Sequence, residues 1–542
     1  MRHTRSLAVL FGAAAFIGAV SPATAQLSLG PLDNNGDGPI PPVYAQGLRQ
    51  NVDRPLAPND VEQGDKLPPK GPPLWQVIPR AQITEEITDN VRDAQTGRQA
   101  DLITTFTPGV YIAADAPRLT ANLDYSPSFQ KYAVAGDQDN ISNNLFGTAI
   151  ATLVPDTLGF ETRGAIFQSA HTGTFGGVPT SQLTNNQRTD TYTAEASPVL
   201  RHSFDTIGDG ELRYIVGETW FGGQTGATTN STPTAFNGFG TTQPISNALH
   251  NELRATLDTG GVGKYVSNRV TLDGQRNDVD GGIGSNKESL ATDEVTLHLR
   301  NNFALVGSGG WQTLEFAQVP SQNYNGPTWY AGMIYEPNAD SQISLNYGLR
   351  DGAKSFQGDM RYTITPLITA YASYAEVTTT PQQAILQNLN GAVLGPNGSV
   401  LNASTGLPES LNNNLSLQND VERLRTFQGS LVYALEPNRF ALTGTHQETN
   451  SLTGLVPNDS ISGGIFTWDR KLSPLNDLTL NVGYSAEDSG HTNTFSTSLA
   501  FRHAFSQTLF GEVDYSFVDV SSVAGGTNFL RNSLIFTLRK VF

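Results

Sequence analysis

Apolar and polar residues alternate with a period of two from about Ile83 to the end of the chain. In the segment "RLTANLDYSPSF", one face of an extended chain would carry Leu119, Ala121, Leu123, Tyr125 and Phe129. The segments "ISLNYGLR" at 343–350 and "LTLNVGYS" at 478–485 repeat the pattern. A period of two is typical of strands whose two faces meet different surroundings. The pattern therefore predicts an all-β fold.

After the first 25 residues the chain has no apolar run near 20 residues, so membrane-spanning helices do not explain its apolar content. Only 38% of the residues are hydrophobic, which is low for one large soluble core. A membrane barrel needs apolar side chains at alternate positions only, and in lipid its sheet must close to pair every backbone group. We predict a transmembrane antiparallel up-and-down β-barrel in the outer membrane of a Gram-negative cell, in contact with outer-membrane lipid. The alternative, a soluble β-sandwich array, would need long apolar inner faces.

The predicted strands are joined by connections of two kinds. Ten are tight: "AADAPR", "VPDT", "DTIGDG", "DTGGVG", "VGSGG", "EPNADS", "TPLI", "EPNR", "SPLND" and "FSQT". Others are long and polar, as at 169–190, 222–246 and Pro381–Asp420. Short periplasmic turns and long extracellular loops are the layout of outer-membrane barrels. Ten hairpins plus one strand at each end give about 22 strands; the range is 18–22, because "VGSGG" is the weakest turn signal.

Aromatic residues near the predicted strand ends suit the interfacial girdles of such a barrel. They are Tyr111, Tyr132, Phe221, Tyr335, Tyr433, Phe505 and Phe510.

The last strand, "NSLIFTLRKVF", ends on an aromatic residue. Its apolar face carries Leu534, Phe536, Leu538 and Phe542, which we expect to touch lipid. A terminal Phe preceded by alternating apolar residues is similar to the signal that the barrel-assembly machinery reads in Gram-negative barrels. Lys540 departs from that pattern. The alternative is an ordinary closing strand without a recognition role, and one strand could serve both purposes.

The first 80 residues have a different composition from the rest. Residues 1–25 combine Arg2 and Arg5, an apolar run and a small-residue site at Ala23 and Ala25, which predicts a signal peptide cleaved after Ala25. Residues 26–80 are rich in Pro and Gly and lack periodicity, which indicates a disordered periplasmic segment. We expect the barrel to occupy residues 81–542. A plugged metallophore receptor would need a larger folded region ahead of its barrel.

Charge and composition exclude several classes of function. Removal of residues 1–25 takes the formal net charge from −17 to −19, which disfavours nucleic acid as a partner. The chain has no cysteine, which excludes disulfides and thiolate metal sites. The segment "DNNGDG" at 33–38 resembles the start of a calcium loop, but its twelfth position is Tyr44.

The sequence shows no catalytic motif. The eight histidines have no metal-ligand spacing, and no G-x-S-x-G elbow is present. His298 and His446 are isolated candidates on predicted strands, where they are more often lumen or interface residues. We therefore expect no enzyme, no catalytic residue, no cofactor and no metal. The inward Thr, Asn, Ser, Asp, Gln and Arg side chains would instead line a water-filled lumen.

The stretch Pro381–Asp420 is the best candidate for a segment that folds into this lumen, because it is long and contains the apolar pieces "AILQNL" and "AVLG". An outward-facing lid or a disordered loop is equally compatible with the sequence.

The start of the predicted barrel resembles the family of outer-membrane β-barrel porins associated with exopolysaccharide and PEP-CTERM systems. In that family an E-x-x-x-D-N strand is followed by an I-T-x-x-x-P-G strand and a strand with two spaced tyrosines. The matching residues are Glu86, Asp89, Asn90, Ile103, Thr104, Pro108, Gly109, Tyr125 and Tyr132. The resemblance is clearest over Ile83–Ala170. It implies a barrel that partners polysaccharide and its export apparatus, and it implies no catalytic residue.

The sequence is compatible with three candidate functions. The first is a porin-like channel associated with exopolysaccharide export or secretion. The second is a general diffusion porin for small polar solutes, and the third is a structural or adhesion barrel whose loops matter more than its lumen.

Overall fold

The computed structural model describes most of the chain from Trp75 onward. The described residues are 75–170, 188–205, 207–222, 245–259, 265–280, 284–300, 302–394, 400–402, 419–454, 458–488, 491–522 and 528–542. The predicted signal peptide, its cleavage site at Ala23 and Ala25, and nearly all of the 26–80 segment lie outside this range. The first strand begins at Trp75, ahead of the predicted barrel boundary at residue 81.

The described residues form 24 strands and one α-helix. The strands are β1 (Trp75–Thr88), β2 (Asp101–Ala116), β3 (Leu119–Tyr132), β4 (Asn140–Val154), β5 (Leu158–Ala170), β6 (Arg188–Ser203), β7 (Asp209–Gly222), β8 (Ala248–Thr259), β9 (Val266–Val279), β10 (Gly284–Arg300), β11 (Phe303–Phe316), β12 (Tyr324–Asn338), β13 (Ser341–Arg350), β14 (Ala353–Thr365), β15 (Ile368–Thr379), β16 (Ala392–Leu394), β17 (Val400–Asn402), β18 (Glu422–Leu435), β19 (Asn438–Ser451), β20 (Asp459–Ser473), β21 (Asn476–Glu487), β22 (Thr492–Ser506), β23 (Leu509–Ser522) and β24 (Phe529–Val541). The helix α1 spans Pro381–Gly391, and short 3-10 turns lie at Gly136–Gln138 and Pro320–Gln322.

Twenty-two of these strands form one closed antiparallel sheet, and β16 and β17 form a separate hairpin. Each barrel strand pairs with its neighbour in sequence, with β15 pairing to β18 across the intervening segment. The seam joins β1 to β24, where Arg80 lies opposite Val541 and Thr88 lies opposite Ser533. Closure pairs the edge groups that hydrocarbon could not solvate. The predicted fold class and strand number are confirmed.

Ten short connections lie on one side of the barrel, together with the start of β1 and the end of β24. Nine of them match predicted tight turns. The tenth prediction, "VGSGG", is wrong, because residues 306–310 lie inside β11 and pair with both β10 and β12. A Cβ on Gly310 would lie 2.0 Å from the Ala291 backbone oxygen, so this glycine permits close strand approach within the sheet. The turn falls between Arg300 and Phe303 instead.

The opposite side carries the long connections, but it is not uniform. Asp351 and Gly352 alone join β13 to β14, with φ angles of 53° and 72°. Two residues with positive φ form the hairpin turn that matches the twist of the strands, and Asp-Gly is a preferred pair for it.

The alternating pattern separates lumen from lipid. On β24, Leu534, Phe536 and Leu538 are 37–48% exposed and face outward, whereas Arg531 and Ser533 are buried and face inward. A closed barrel with an apolar exterior belongs in the cell outer membrane. Cross-strand pairing also corrects the predicted girdles. Tyr335, Tyr433 and Phe505 lie on the outer face, whereas the remaining members point inward; these are Tyr111, Tyr132, Phe221 and Phe510.

Candidate functional site

One wall of the lumen, from β5 to β9, carries a ladder of ion pairs. Arg213 contacts Glu161 at 2.7 Å and Glu211 at 3.1 Å. Farther along the wall, Arg254 bridges Glu252 at 2.6 Å and Asp273 at 2.9 Å. Some of these pairs join residues along one strand and others join residues across strands, so each carboxylate lies beside a guanidinium group. The result is a polar wall whose side chains are held by one another.

The helix α1 lies against this wall inside the barrel. It starts after Thr380, whose hydroxyl accepts a hydrogen bond from the Gln383 backbone N–H, with Pro381 in the first turn. A hydroxyl at the N-cap and a proline immediately after it are favourable for starting a helix. The prediction that Pro381–Asp420 folds into the lumen agrees with the position of its described part.

Apolar packing holds the buried face of α1. Ile385 and Leu389 have no exposed surface, and Ala384 is 3% exposed. These side chains pack with inward residues of the barrel, namely Phe146, Ala165, Phe167 and Leu424, and with Ile245 in the segment before β8. A Cβ on Gly217 would lie 3.1 Å from Leu386 Cδ2, so the absence of a side chain there lets the helix come close.

Hydrogen bonds hold both ends of α1. Near its start, Gln382 Nε2 donates to the Ser246 backbone oxygen at 2.9 Å, and Gln383 Nε2 donates to Gln275 Oε1 at 3.1 Å. At its end, Arg163 donates to Asn390, well below the loop end of β5. The helix therefore descends into the barrel along the β5–β9 wall.

A buried polar network lies where this segment leaves and re-enters the sheet. Gln312 has no exposed surface and donates through Nε2 to Glu288 and Asp351, both at 2.7 Å. Close by, Asp420 accepts from the Val421 backbone N–H at 2.8 Å. Glu422 has no exposed surface, and its carboxylate oxygens have no hydrogen-bond partner in the described part of the chain. No local sequence pattern marks these residues as a group, because they come from segments far apart along the chain.

The family-like residues of β1 close the seam at the loop end. Ser533 donates to Glu86 Oε1 at 2.7 Å, and the Asn532 backbone N–H donates to Asp89 Oδ1 at 2.7 Å. Asn90 is fully buried and donates to the Leu530 backbone oxygen at 3.0 Å. These contacts tie the first strand to the last. Glu86, Asp89 and Asn90 therefore have a structural role here.

The other family-like residues shape the first hairpin. Thr104 donates to Glu85 at 2.8 Å, and Tyr125 donates to Asn143 at 2.9 Å. A Cβ on Gly109, which follows Pro108, would lie 2.7 Å from Arg80 Nε. The glycine leaves room for Arg80 to pair with Asp124, Nη1 lying 2.6 Å from Oδ2. Ile103 and Tyr132 lie in a small buried cluster with Val91 and Ala135.

The residues of the proposed assembly signal run along β24, and the last of them lies at the short-turn end of the seam. Leu534, Phe536 and Leu538 face outward, and Phe542 is 71% exposed. The Phe542 backbone N–H donates to the Pro79 backbone oxygen at 2.9 Å. The last residue is thus part of barrel closure. Its recognition by assembly machinery stays a prediction.

The described residues contain no group of three or more His, Asp or Glu that could hold a metal ion. Asp33 and Tyr44 of the calcium-like segment lie outside them. No α-helix in the described part of the chain is long and apolar enough to cross a bilayer. His298 contacts Ser267 at 3.3 Å near the end of β10, and His446 contacts Ser462 at 2.7 Å on the outer face.

No protein-family model matches the chain, and no curated protein is similar to it in sequence. Solved structures with a similar fold include the FrpB iron transporter of Neisseria meningitidis, at 8% identity and a TM-score of 0.50, covering 86% of this chain and 81% of that one. The siderophore receptor PirA of Acinetobacter baumannii is 9% identical with a TM-score of 0.47, covering 86% and 80%. The ferric enterobactin receptor PfeA of Pseudomonas aeruginosa is 11% identical with a TM-score of 0.44, covering 86% and 80%. At such identities the likeness concerns the barrel fold alone.

Proposed function

We propose that this protein is a porin-like outer-membrane channel associated with exopolysaccharide export, and that α1 forms the constriction. The observation that supports the constriction is the docking of α1 on the inward wall. Ile385 and Leu389 are buried against barrel residues, and Arg163 anchors the far end of the helix. A segment held this firmly narrows the lumen at a fixed place.

The lumen chemistry supports a polar cargo. The inward positions around α1 carry hydroxyl, amide and charged groups, including Thr193, Ser197 and Gln275. Such groups keep water in the lumen and hydrogen-bond the hydroxyls of a sugar. The resemblance of Glu86, Asp89 and Asn90 to the exopolysaccharide-associated porins is the reason for proposing a polysaccharide as the cargo. The association with polysaccharide rests on that resemblance.

A general diffusion porin for small polar solutes is the second candidate, and the same polar lumen supports it. The functions in the names of the similar structures concern iron and siderophores, but an identity of 8% supports no choice of ligand for this chain. A structural or adhesion barrel would use its loops and would need no open lumen.

Conductance in planar bilayers tests the channel and its constriction together. Thr379 and Glu422 face each other across β15 and β18, so a short Gly/Ser linker can replace residues 381–420 and still join the strands. We expect a steady pore for the wild type and a larger conductance for the shortened variant. An unchanged conductance would contradict the proposal that this segment constricts the lumen. The absence of a pore in both proteins would favour the structural barrel. Both proteins should first show the heat-dependent gel mobility of a folded barrel.

Deletion of the gene tests the cargo. If the channel serves polymer export, extracellular polysaccharide should fall on deletion and return with the wild-type gene. Unchanged polysaccharide together with slower uptake of small polar solutes would assign the general diffusion role instead.

A further inference from the structure

The outer face of β18–β20 carries polar residues in the half of the strands nearer the loop end. Phe427, His446 and Ser462 form one cross-strand row, and Arg425, Glu448 and Ser460 form the row nearer the loop end. All face outward, because they alternate with inward residues such as Leu424 and Gln447. Phe427 is 39% exposed at this upper edge of the apolar belt.

Three of these side chains lie next to one another, and two of them are hydrogen-bonded. His446 Nδ1 lies 2.7 Å from Ser462 Oγ, and His446 Nε2 lies 3.6 Å from Glu448 Oε1. The His446 and Glu448 side chains are 42% and 39% exposed. A nucleophile within hydrogen-bond reach of a base, which is oriented by a third group, is the arrangement of Ser-His-acid hydrolases. We call Ser462, His446 and Glu448 the outer triad.

The wall directly below the outer triad has no side chains. Gly429, Gly444 and Gly464 form the next outward row, each paired with the next. Large apolar residues surround this gap on the lipid side, including Leu431, Leu442, Phe466 and Tyr484, which are 37–53% exposed. A Cβ on Gly429 would lie 3.3 Å from Phe427 Cζ, and Gly444 is buried, so the Phe427 ring covers part of this row. The glycine row with its apolar neighbours is therefore an apolar patch on the lipid-facing surface.

Cations lie beside and above the outer triad. Arg425 contacts Glu448 at 2.9 Å, and Arg423 contacts Glu376 at 3.0 Å and the Lys354 backbone oxygen at 3.2 Å. Lys354 is exposed, and no ion pair joins its ammonium to any residue in the described ranges. Three cations against two carboxylates leave an excess positive charge at headgroup height, which suits a lipid phosphate.

We propose that the outer triad is a lipid-facing site that hydrolyses an acyl ester of a phosphorylated membrane lipid. The apolar patch around the glycine row contacts the acyl chain, and Lys354 and Arg423 hold the phosphate. This activity is separate from transport through the lumen. It departs from the expectation of no enzyme, which rested on the absence of a local motif. The triad forms only through strand register.

The reaction proceeds by acyl transfer. Ser462 Oγ gives its proton to His446 Nδ1 and attacks the ester carbonyl carbon, while Arg425 supplies positive charge for the oxyanion. The intermediate expels the lipid alkoxide, which takes the proton from His446 and leaves as an alcohol. Water then gives a proton to His446 and attacks the acyl-serine, which releases a fatty acid and returns the proton to Ser462. Glu448 is a positioning residue that holds the His446 ring.

The test uses the full chain reconstituted in vesicles of a diacyl phosphatidylethanolamine, with fatty-acid release as the readout. We expect release by the wild type and a loss of at least about 100-fold in Ser462→Ala and His446→Ala. Ser460→Ala is the matched control, because Ser460 lies one row away and donates instead to Asp488 at 2.6 Å. It should retain full activity. Vesicles of the diether analogue should release nothing.

Further readouts separate catalysis from structure. A fluorophosphonate probe should label Ser462 in the wild type but not in Ser462→Ala, as read by peptide mass spectrometry. Glu448→Gln should alter the pH profile of hydrolysis. Lys354→Gln should raise KM for the phospholipid about tenfold and leave hydrolysis of diacylglycerol unchanged, whereas an equal effect on both substrates would remove the phosphate subsite.

Bisphosphorylated lipid A in place of the phospholipid decides which membrane lipid is preferred. Wild-type release no greater than that of Ser462→Ala, in both lipids and with both proteins folded, would overturn the proposal.

Discussion

Arg163 holds the end of the lumen helix through Asn390, its Nη1 lying 2.7 Å from Oδ1 and 2.9 Å from the backbone oxygen. This one side chain links the wall of the barrel to the segment that enters it. Arg163 also lies 3.7 Å from Glu195, so the anchor is continuous with the ion pairs of the wall. The position of α1 therefore depends on polar anchors as well as on its apolar face.

Replacement of this anchor should loosen the helix. In Arg163→Ala, the loss of two hydrogen bonds from a charged donor should shift the docked equilibrium about tenfold toward undocked states. Single-channel recordings should then show more frequent high-conductance excursions. Arg201→Ala is the matched control, because Arg201 belongs to the same ladder through Glu211 and makes no contact with α1. An equal frequency of high-conductance excursions in both variants would contradict the anchoring role of Arg163.

The apolar contacts of α1 should contribute more to its docking free energy than the Arg163 hydrogen bonds do. Leu389 has no exposed surface, so Leu389→Ala should weaken docking by about 2–4 kcal/mol through lost burial and a residual cavity. Limited proteolysis from the loop side should cut the 380–421 segment faster in this variant. The control is Leu305→Ala, in which the same atoms are removed from a lipid-facing side chain that is 42% exposed. A cutting rate unchanged in Leu389→Ala would show that the apolar contacts do not fix the helix.

The first extracellular loop should respond to pH through Asp93. Burial raises the pKa of Asp93 from 3.8 to about 6, although Arg531 at 2.6 Å acts in the opposite direction. Because the folded pKa lies above the unfolded one, the loop should be most stable below about pH 4. It should lose stability as the pH rises to about 6, by about 3 kcal/mol in total.

Hydrogen exchange measures this effect directly. Amides of residues 89–100 should open more readily at pH 7 than at pH 4, after correction for intrinsic exchange. In Asp93→Asn the opening free energy should no longer depend on pH over this range. A slope that persists in the variant would assign the effect to another group.

The terminal residue allows assembly and closure to be separated. If Phe542 belongs to an assembly signal, Phe542→Ser should lower the amount of folded barrel in the outer membrane several-fold. Folding of the purified chain into detergent should be nearly unchanged. Phe505→Ser is the control, since Phe505 is 61% exposed at the same rim and lies outside the last strand. If both variants lowered the amount of folded barrel in cells equally, Phe542 would have no special role in assembly beyond its position at the rim.

The sequence by itself determined the fold class, the closure of the sheet and the approximate number of strands. These follow from local signals, because a period of two specifies strands and turn residues specify where strands reverse. Their limit is visible at Gly310, where glycines that resemble a turn serve close strand packing inside β11.

Only the tertiary structure decided on which face individual aromatic residues lie and which distant residues come together. A period of two distinguishes two faces without naming them, so Tyr111 and Phe510 turned inward against expectation. The docking of α1 joins residues such as Arg163 and Asn390, which are separated by 227 positions. The contact between His446 and Ser462 depends on the register of β19 and β20, because a slip of one residue would place them on opposite faces.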